Sequence, residues 1–291
     1  MTHTPRIAFF GGEPLGLPAL QALVAAGLKP ELVICNPDRQ SGRGLELKAP
    51  PIKVWAEQNG IAVLQPTSYK TKEDLVQLVE PDWDLFVVVA YNFILPKWFL
   101  ELPKHGVVNV HPSLLPKLRG ASPIRTAILK NLPTEVGVSI MLMDEEMDHG
   151  PLLAQTLLTS DVWPISGTLL DDKLAQMGGE LLAQTIPKWL AGEITPRAQA
   201  HEEATYTKKF EKSDAELKLD PTNLPNGEQA LATLSKIHAF AEMSDCYFFD
   251  NGIRVKIKAA GLTRDGQLEL LRVIPEGKRE MDFSQYLASR Q

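Results

Sequence analysis

The chain has 291 residues, of which 44% are hydrophobic, 7% aromatic and 23% charged, the balance of a globular enzyme with a sizeable core rather than of a disordered or fibrous protein. That length leaves room for two domains. The formal net charge of -6 excludes a protein that coats nucleic acid through a general basic surface, so any RNA contact has to be local.

Met1 to Phe10 carries one Arg and only a short apolar run before Gly11 and Gly12. The run is too short for a signal-peptide core or a membrane span, so a cytoplasmic protein with no membrane association is expected. Strand, helix and strand follow over Arg6 to Phe10, Leu17 to Leu28 and Glu31 to Cys35. A helix opens at Pro51, in its first turn, and stops near Gly60, before a strand over Ala62 to Leu64 and a helix over Glu73 to Val79. Leu85-Phe86-Val87-Val88-Val89 has no polar alternation, as expected of a parallel strand covered by helices on both faces. Gly106 to Val110 and Val136 to Met143 repeat the pattern, and a helix over Thr168 to Leu190 closes it. The fold class predicted is α/β, with a doubly wound, mostly parallel sheet whose ligands bind beyond the carboxyl ends of the strands.

Residues 191–207 lack a sustained apolar period and read as a linker between a domain over 1–190 and a second over 208–291. The second begins with a helix over Glu228 to Phe240. Strand-like runs at Cys246 to Phe249, Ile253 to Ala259 and Leu268 to Val273 follow, with turns at Asp250-Asn251-Gly252 and Asp265-Gly266. This predicts a small β-rich, barrel-like C-terminal domain. Cys35 and Cys246 form no C-x-x-C pair and read as idle thiols in a reducing compartment, and no metal is expected.

Asn109 and His111 stand two apart at the end of an apolar strand, so both side chains point to one face of the sheet and can reach one substrate atom. Such a pair more often satisfies a strand terminus than performs catalysis. The loop Asp144-Glu145-Glu146-Met147-Asp148-His149-Gly150 also follows an apolar strand and ends in a Gly suited to a tight turn. By itself it reads as a solvated turn, a metal loop or a catalytic loop. A calcium loop is disfavoured, because the turn Gly and the terminal bidentate Glu are missing.

Asn109-x-His111, Ser113-Leu114-Leu115-Pro116 and Arg119-Gly120-Ala121-x-Pro123-Ile124, followed by Met143-Asp144 and Asp148-x-Gly150-Pro151, together resemble the signature of the folate-dependent formyltransferases in order and spacing. The resemblance implies that Asn109, His111 and Asp148 are the catalytic residues and that 10-formyltetrahydrofolate is the co-substrate. It places the pterin against Phe93, Ile94 and Leu95 and against Asp144 and the rest of its loop, with Ser113, Leu114, Leu115 and Pro116 lining the folate site. Attack of an amine on a formyl carbon creates an oxyanion, which the Asn109 amide and a donor-form His111 could stabilise. Asp148 could orient His111 and help to relay the amine proton.

The segment Pro37-Asp38-Arg39-Gln40-Ser41-Gly42-Arg43-Gly44, running on through Lys48 to Pro51-Ile52-Lys53-Val54, reads by composition as a solvated loop. It resembles the loop that the methionyl-tRNA formyltransferase family inserts into the acceptor end of initiator tRNA, which implies tRNA contacts at Arg39, Arg43 and Lys48. Ala204-Thr205-Tyr206-Thr207-Lys208-Lys209 resembles the start of that family's C-terminal barrel, and Pro275-Glu276-Gly277-Lys278 a segment near its end. The resemblance implies a tRNA-contacting C-terminal domain, a monomer, and initiator methionyl-tRNA as the formyl acceptor. The chain departs from the family at Gly12, where Thr is common, at Asn92, where Gly is usual, and at 241–245, where a Trp and a Pro are missing. A sugar-nucleotide N-formyltransferase or a 10-formyltetrahydrofolate hydrolase could use the same three residues but would not need the basic loop. A nicotinamide-binding protein is disfavoured, because Gly11-Gly12-x-x-x-Gly16 does not fit G-x-G-x-x-G.

Overall fold

The computed structural model describes residues 4–41, 45–72 and 75–290. They form two compact units. The first contains the residues up to Gly120, Glu135–Leu158 and Asp171–Tyr206, and the second contains Ala121–Thr134, Thr159–Leu170 and the residues from Thr207 onward. Residues 191–206, predicted as linker, lie within the first unit.

In chain order the elements are β1 (Ile7–Gly11), α1 (Gly16–Ala25), β2 (Leu32–Cys35), β3 (Arg39–Ser41), β4 (Glu46–Lys48), α2 (Pro51–Gln58), β5 (Ala62–Leu64), α3 (Val76–Val79), β6 (Leu85–Val89), α4 (Lys97–Leu100), β7 (Val107–His111) and β8 (Arg119–Gly120). They continue with α5 (Pro123–Leu129), β9 (Gly137–Leu142), β10 (Leu152–Leu157), α6 (Gly167–Leu190), β11 (Tyr206–Thr207), α7 (Gly227–Phe240), β12 (Tyr247–Asp250), β13 (Ile253–Leu262), β14 (Leu268–Pro275), β15 (Met281–Asp282) and α8 (Phe283–Ala288).

The first unit is built on a seven-stranded sheet in the order β10-β9-β7-β6-β1-β2-β5. The five strands from β7 to β5 are parallel, whereas β9 runs antiparallel to β7, and β10 antiparallel to β9. Every residue of β1, β2 and β6 is buried, which is why these strands read as unbroken apolar runs. Phe10, Tyr69, Trp83, Phe86 and Phe99 fill one face of the sheet with tilted and edge-on ring pairs. Each large apolar side chain fully buried there contributes roughly 1.5–3 kcal/mol relative to exposure. Leu174, Ala175, Leu182 and Ile186 are buried along α6.

The second unit carries a four-stranded antiparallel sheet in the order β12-β13-β14-β15. Asn251 and Gly252 make the two-residue turn between β12 and β13 with φ of 48° and 80°. Both central positions are left-handed, so Asn-Gly is the pair that fits without steric cost. Within this unit α5 packs against α7.

Candidate active site

Asn109 and His111 occupy alternate positions of β7, opposite Met141 and Ser139 of β9. Strand parity puts both side chains on the same face. His111 is only 4% exposed. Its Nε2 lies 3.0 Å from the carbonyl oxygen of Leu118 and its Nδ1 3.5 Å from Oδ1 of Asp148. A carbonyl can only accept, so Nε2 carries a hydrogen, and Nδ1 is left facing the carboxylate. Both ring nitrogens therefore look at acceptor oxygens. Among the described residues, the side-chain amide of Asn109 has no hydrogen-bond partner and is free to donate to a ligand.

The segment after β7 is pinned from several directions. Ser113 donates from Oγ to the Lys117 carbonyl at 2.6 Å, and Ser139 Oγ donates to the Ser113 carbonyl at 2.6 Å. The Leu115 amide donates to Ser139 Oγ at 3.0 Å, and Gln155 Nε2 donates to the Leu115 carbonyl at 2.8 Å. The peptide before Pro116 is cis. Ser113 and Leu115 are buried, so their side chains hold the loop's shape, while Leu114 and Pro116 are half-buried.

Asp148 reaches His111 by an unexpected route. Because β9 is antiparallel to β7, its carboxyl end lies beside the start of β7, where the Met143 amide donates to the Val107 carbonyl at 2.8 Å. Within five residues the loop has travelled back along the sheet to His111. It turns through Asp148, whose φ is 51°, and Oδ2 of Asp148 accepts from the Gly120 amide at 2.7 Å. At Gly150 a Cβ would stand 2.0 Å from the Leu142 carbonyl oxygen, so only Gly lets the loop rejoin β10 this closely. Asp144 ties the loop's start by accepting from the Glu146 amide at 3.0 Å, and its Oδ2 lies 2.7 Å from His149 Nδ1.

Among the residues predicted to meet the pterin, Phe93 is half-buried against Tyr69 and Tyr91, and Leu95 lies in the core. Ile94 between them is 95% exposed. Arg39 and Lys48 face each other across the antiparallel β3–β4 hairpin, and both are exposed. Arg43 lies outside the described residues. A cleft of about 250 Å³ opens beside the hairpin, lined by Gly12, Glu13, Asn36, Arg39, Lys48 and Asn92 among others. Burial pushes the Glu13 carboxyl above its usual range, against the pull of a hydrogen bond from the Ile52 amide.

The sequence marks Arg119 only as part of a signature, with no role of its own, and does not single out Gln199. Arg119 is 2% exposed, and its guanidinium meets Gln199 Oε1 and His201 Nδ1 at 2.7 Å and 2.9 Å. Arg119 opens the two-residue strand β8, too short to show a period, and Gln199 sits where no apolar period marks a fold element. Among the described residues no group of three or more His, Cys, Asp or Glu could hold a metal, and no helix is long and apolar enough to cross a membrane.

Residues 6–186 match the formyl transferase family. A methionyl-tRNA formyltransferase from Halorhodospira halophila is 37% identical over 309 residues, covering 98% of this chain and 96% of the relative. Another, from a Geobacillus species, is 44% identical over 201 residues, covering 69% of this chain and 63% of the relative. The crystal structure of WlaRD, a sugar 3N-formyl transferase, superposes with a TM-score of 0.65 at 18% identity over 95% of this chain and 100% of that one, a likeness of fold alone. The β7 and Asp148 geometry thus lies in a stretch shared along nearly the whole length of a relative, and this chain belongs to the formyl transferase family.

Proposed function

We propose that the protein transfers the formyl group of 10-formyltetrahydrofolate to the α-amine of initiator methionyl-tRNA, acting as a cytoplasmic monomer. One observation carries the chemistry: a free Asn109 amide beside His111, whose two ring nitrogens lie 3.0 Å and 3.5 Å from acceptors. Relatives named methionyl-tRNA formyltransferase that match nearly end to end support the acceptor.

Asn109 donates a hydrogen bond to the formyl oxygen as negative charge develops there, and removal of one such donor costs on the order of 10² to 10³ in rate. His111, held between the Leu118 carbonyl and Asp148, shares the β7 face with Asn109 and presents its ring to that oxygen. Asp148 fixes the ring and is placed to take the proton that the attacking nitrogen loses, directly or through water, while the bond from the formyl carbon to N10 of the folate breaks and N10 takes up a proton, which releases tetrahydrofolate. An α-amine titrates near pH ~8, so it is already partly unprotonated at neutral pH and needs no strong base. Exposed Ile94, the half-buried Phe93 and Leu114 and the polar Asp144 loop fit the flat apolar faces and polar edge of a pterin. Arg39, Arg43 and Lys48 meet the acceptor end of the tRNA.

The test is an assay of purified protein with 10-formyltetrahydrofolate and methionyl-tRNA, with a nucleotide-linked amino sugar and water as competing acceptors. Formylmethionyl-tRNA is the expected product. Formylated sugar alone, or free formate alone, overturns the assignment in favour of the corresponding rival.

A further inference from the structure

Gln199 lies 5% exposed in the first unit, beyond α6, and its amide uses its full hydrogen-bonding capacity. Oε1 accepts from Arg119 Nε at 3.2 Å and from the Arg119 terminal nitrogen at 2.7 Å. Nε2 donates to the Asp148 carbonyl at 3.0 Å and to the Gly150 carbonyl at 2.7 Å. The orientation is unambiguous. Turned over, the amide would face its NH₂ to a guanidinium and its oxygen to two carbonyls, four repulsive contacts in place of four attractive ones.

The two segments joined in this way are the ones that bracket the candidate catalytic pair. Residues 118–120 supply the Leu118 carbonyl to His111 and the Gly120 amide to Asp148. Residues 148–150 carry Asp148 itself in a left-handed conformation, which is strained for a non-glycine residue and persists only where its surroundings hold it. Gln199 holds the carbonyls on both sides of that turn. Its Arg119 partner is rigid in turn, because the Arg119 amide donates to the Thr205 carbonyl at 2.9 Å and its guanidinium also meets His201.

We infer that Gln199 is a positioning residue for formyl transfer: its two N–H donors set the distance between Asp148 and His111, with Arg119 as the rigid support. The inference rests on the roles given above to His111 and Asp148. A residue that only stabilised the fold by pairing with Arg119 could be replaced by Glu, which offers the guanidinium two stronger acceptors. Glu, however, sets an oxygen against the Asp148 and Gly150 carbonyls, so it cannot hold the turn.

The experiment compares the full-length protein with Gln199→Glu and with Gln199→Met, which keeps the volume and cannot donate. kcat and the KM for each substrate are measured well below the melting temperature of every variant. The expected result is a fall in kcat of about 10²-fold, the scale of a 1 Å misplacement, with both KM values within about twofold of wild type. Wild-type kcat in a folded Gln199→Glu or Gln199→Met protein overturns the inference, and so does a change confined to the KM for tRNA. An Asp148→Asn variant run alongside separates the two levels. If it retains wild-type kcat, the site assignment has failed; if it loses activity while the Gln199 variants keep theirs, only the positioning role has failed.

Discussion

Lys53 Nζ lies 2.9 Å from each oxygen of the Asp38 carboxylate, which ties the first turn of α2 to the base of the β3–β4 hairpin. Gln65 completes the tie, donating to Asp38 at 2.7 Å and to the Asn36 carbonyl at 2.7 Å while accepting from Lys53 at 2.9 Å. Hydrogen bonds from Gln65 and then Lys53 hold the Asp38 carboxyl below its usual range. A hairpin of six paired residues has little stability alone, so its direction depends on this anchor. Asp38→Asn or Lys53→Met should raise the KM for methionyl-tRNA several-fold and leave the KM for the formyl donor unchanged. Steady-state kinetics with each substrate varied in turn will check this.

Arg39 and Lys48 are direct cross-strand partners. Like charges in that relation oppose each other by roughly 0.2–1 kcal/mol, a cost that a phosphate placed between them removes. Arg39→Ala and Lys48→Ala should each weaken tRNA binding and lower the slope of log K against log salt by about 1. Arg43→Ala is expected to do the same with formyl-donor binding intact. A salt titration of tRNA affinity decides, and an unchanged slope removes these side chains from the RNA interface.

Asn109→Ala should lower kcat on the order of 10²- to 10³-fold without changing the thermal midpoint, because the amide is free rather than part of the fold's hydrogen-bond network. His111→Ala should lower kcat as well. It empties a buried position that bonds Leu118, so a fall in melting temperature is expected too. Wild-type turnover in either variant would falsify the role given to that residue.

Burial lowers the imidazole of His238 from its usual value of 6.5, with partial opposition from the Pro164 carbonyl 3.2 Å from Nδ1. Above 6.5 neither the folded nor the unfolded chain binds this proton, and the neutral ring's contribution is complete. As the pH falls from there through the lower folded value, the unfolded chain takes up the proton first and stability is lost. The melting temperature of wild type should therefore drop more steeply than that of His238→Gln on acidification below about 6.5. Parallel curves would show that this histidine is not responsible.

Cys35 and Cys246 are both buried and free, and burial pushes their thiols up to about 11 and about 12. The thiolate is the reactive form, so neither should react with a thiol reagent at neutral pH until the surrounding structure opens. Labelling followed by mass spectrometry across a denaturant series should show both sites silent in the native protein. Fast labelling of either one in native buffer contradicts this.

What could be read in advance followed from local periodicity. Leu85 to Val89 announced a fully buried strand, and the two-residue step from Asn109 to His111 fixed a common face whatever the sheet's neighbours were. The approach of Asp148 could not be read in this way. It depends on β9 running antiparallel and on a loop that doubles back, and strand direction leaves no mark on a short apolar run. Arg39 to Ser41 and Glu46 to Lys48 pair as a hairpin although Arg39, Gln40, Glu46, Leu47 and Lys48 are all exposed, so no alternation betrayed them. Gln199 was hidden for the same reason: its segment is held by hydrogen bonds to the Asp148 turn rather than by an apolar face.

The second unit is drawn from three separate stretches of chain, and this bears on the order of synthesis. The buried face of α5, with Ile124, Ala127 and Ile128, leaves the ribosome long before α7, against which it packs. A nascent chain stopped after β11 therefore holds every strand of the large sheet while that helix face stays uncovered, a natural landing place for a chaperone until the last elements arrive. Proteolysis of stalled chains should cut near α5 before α7 has emerged and spare it afterwards.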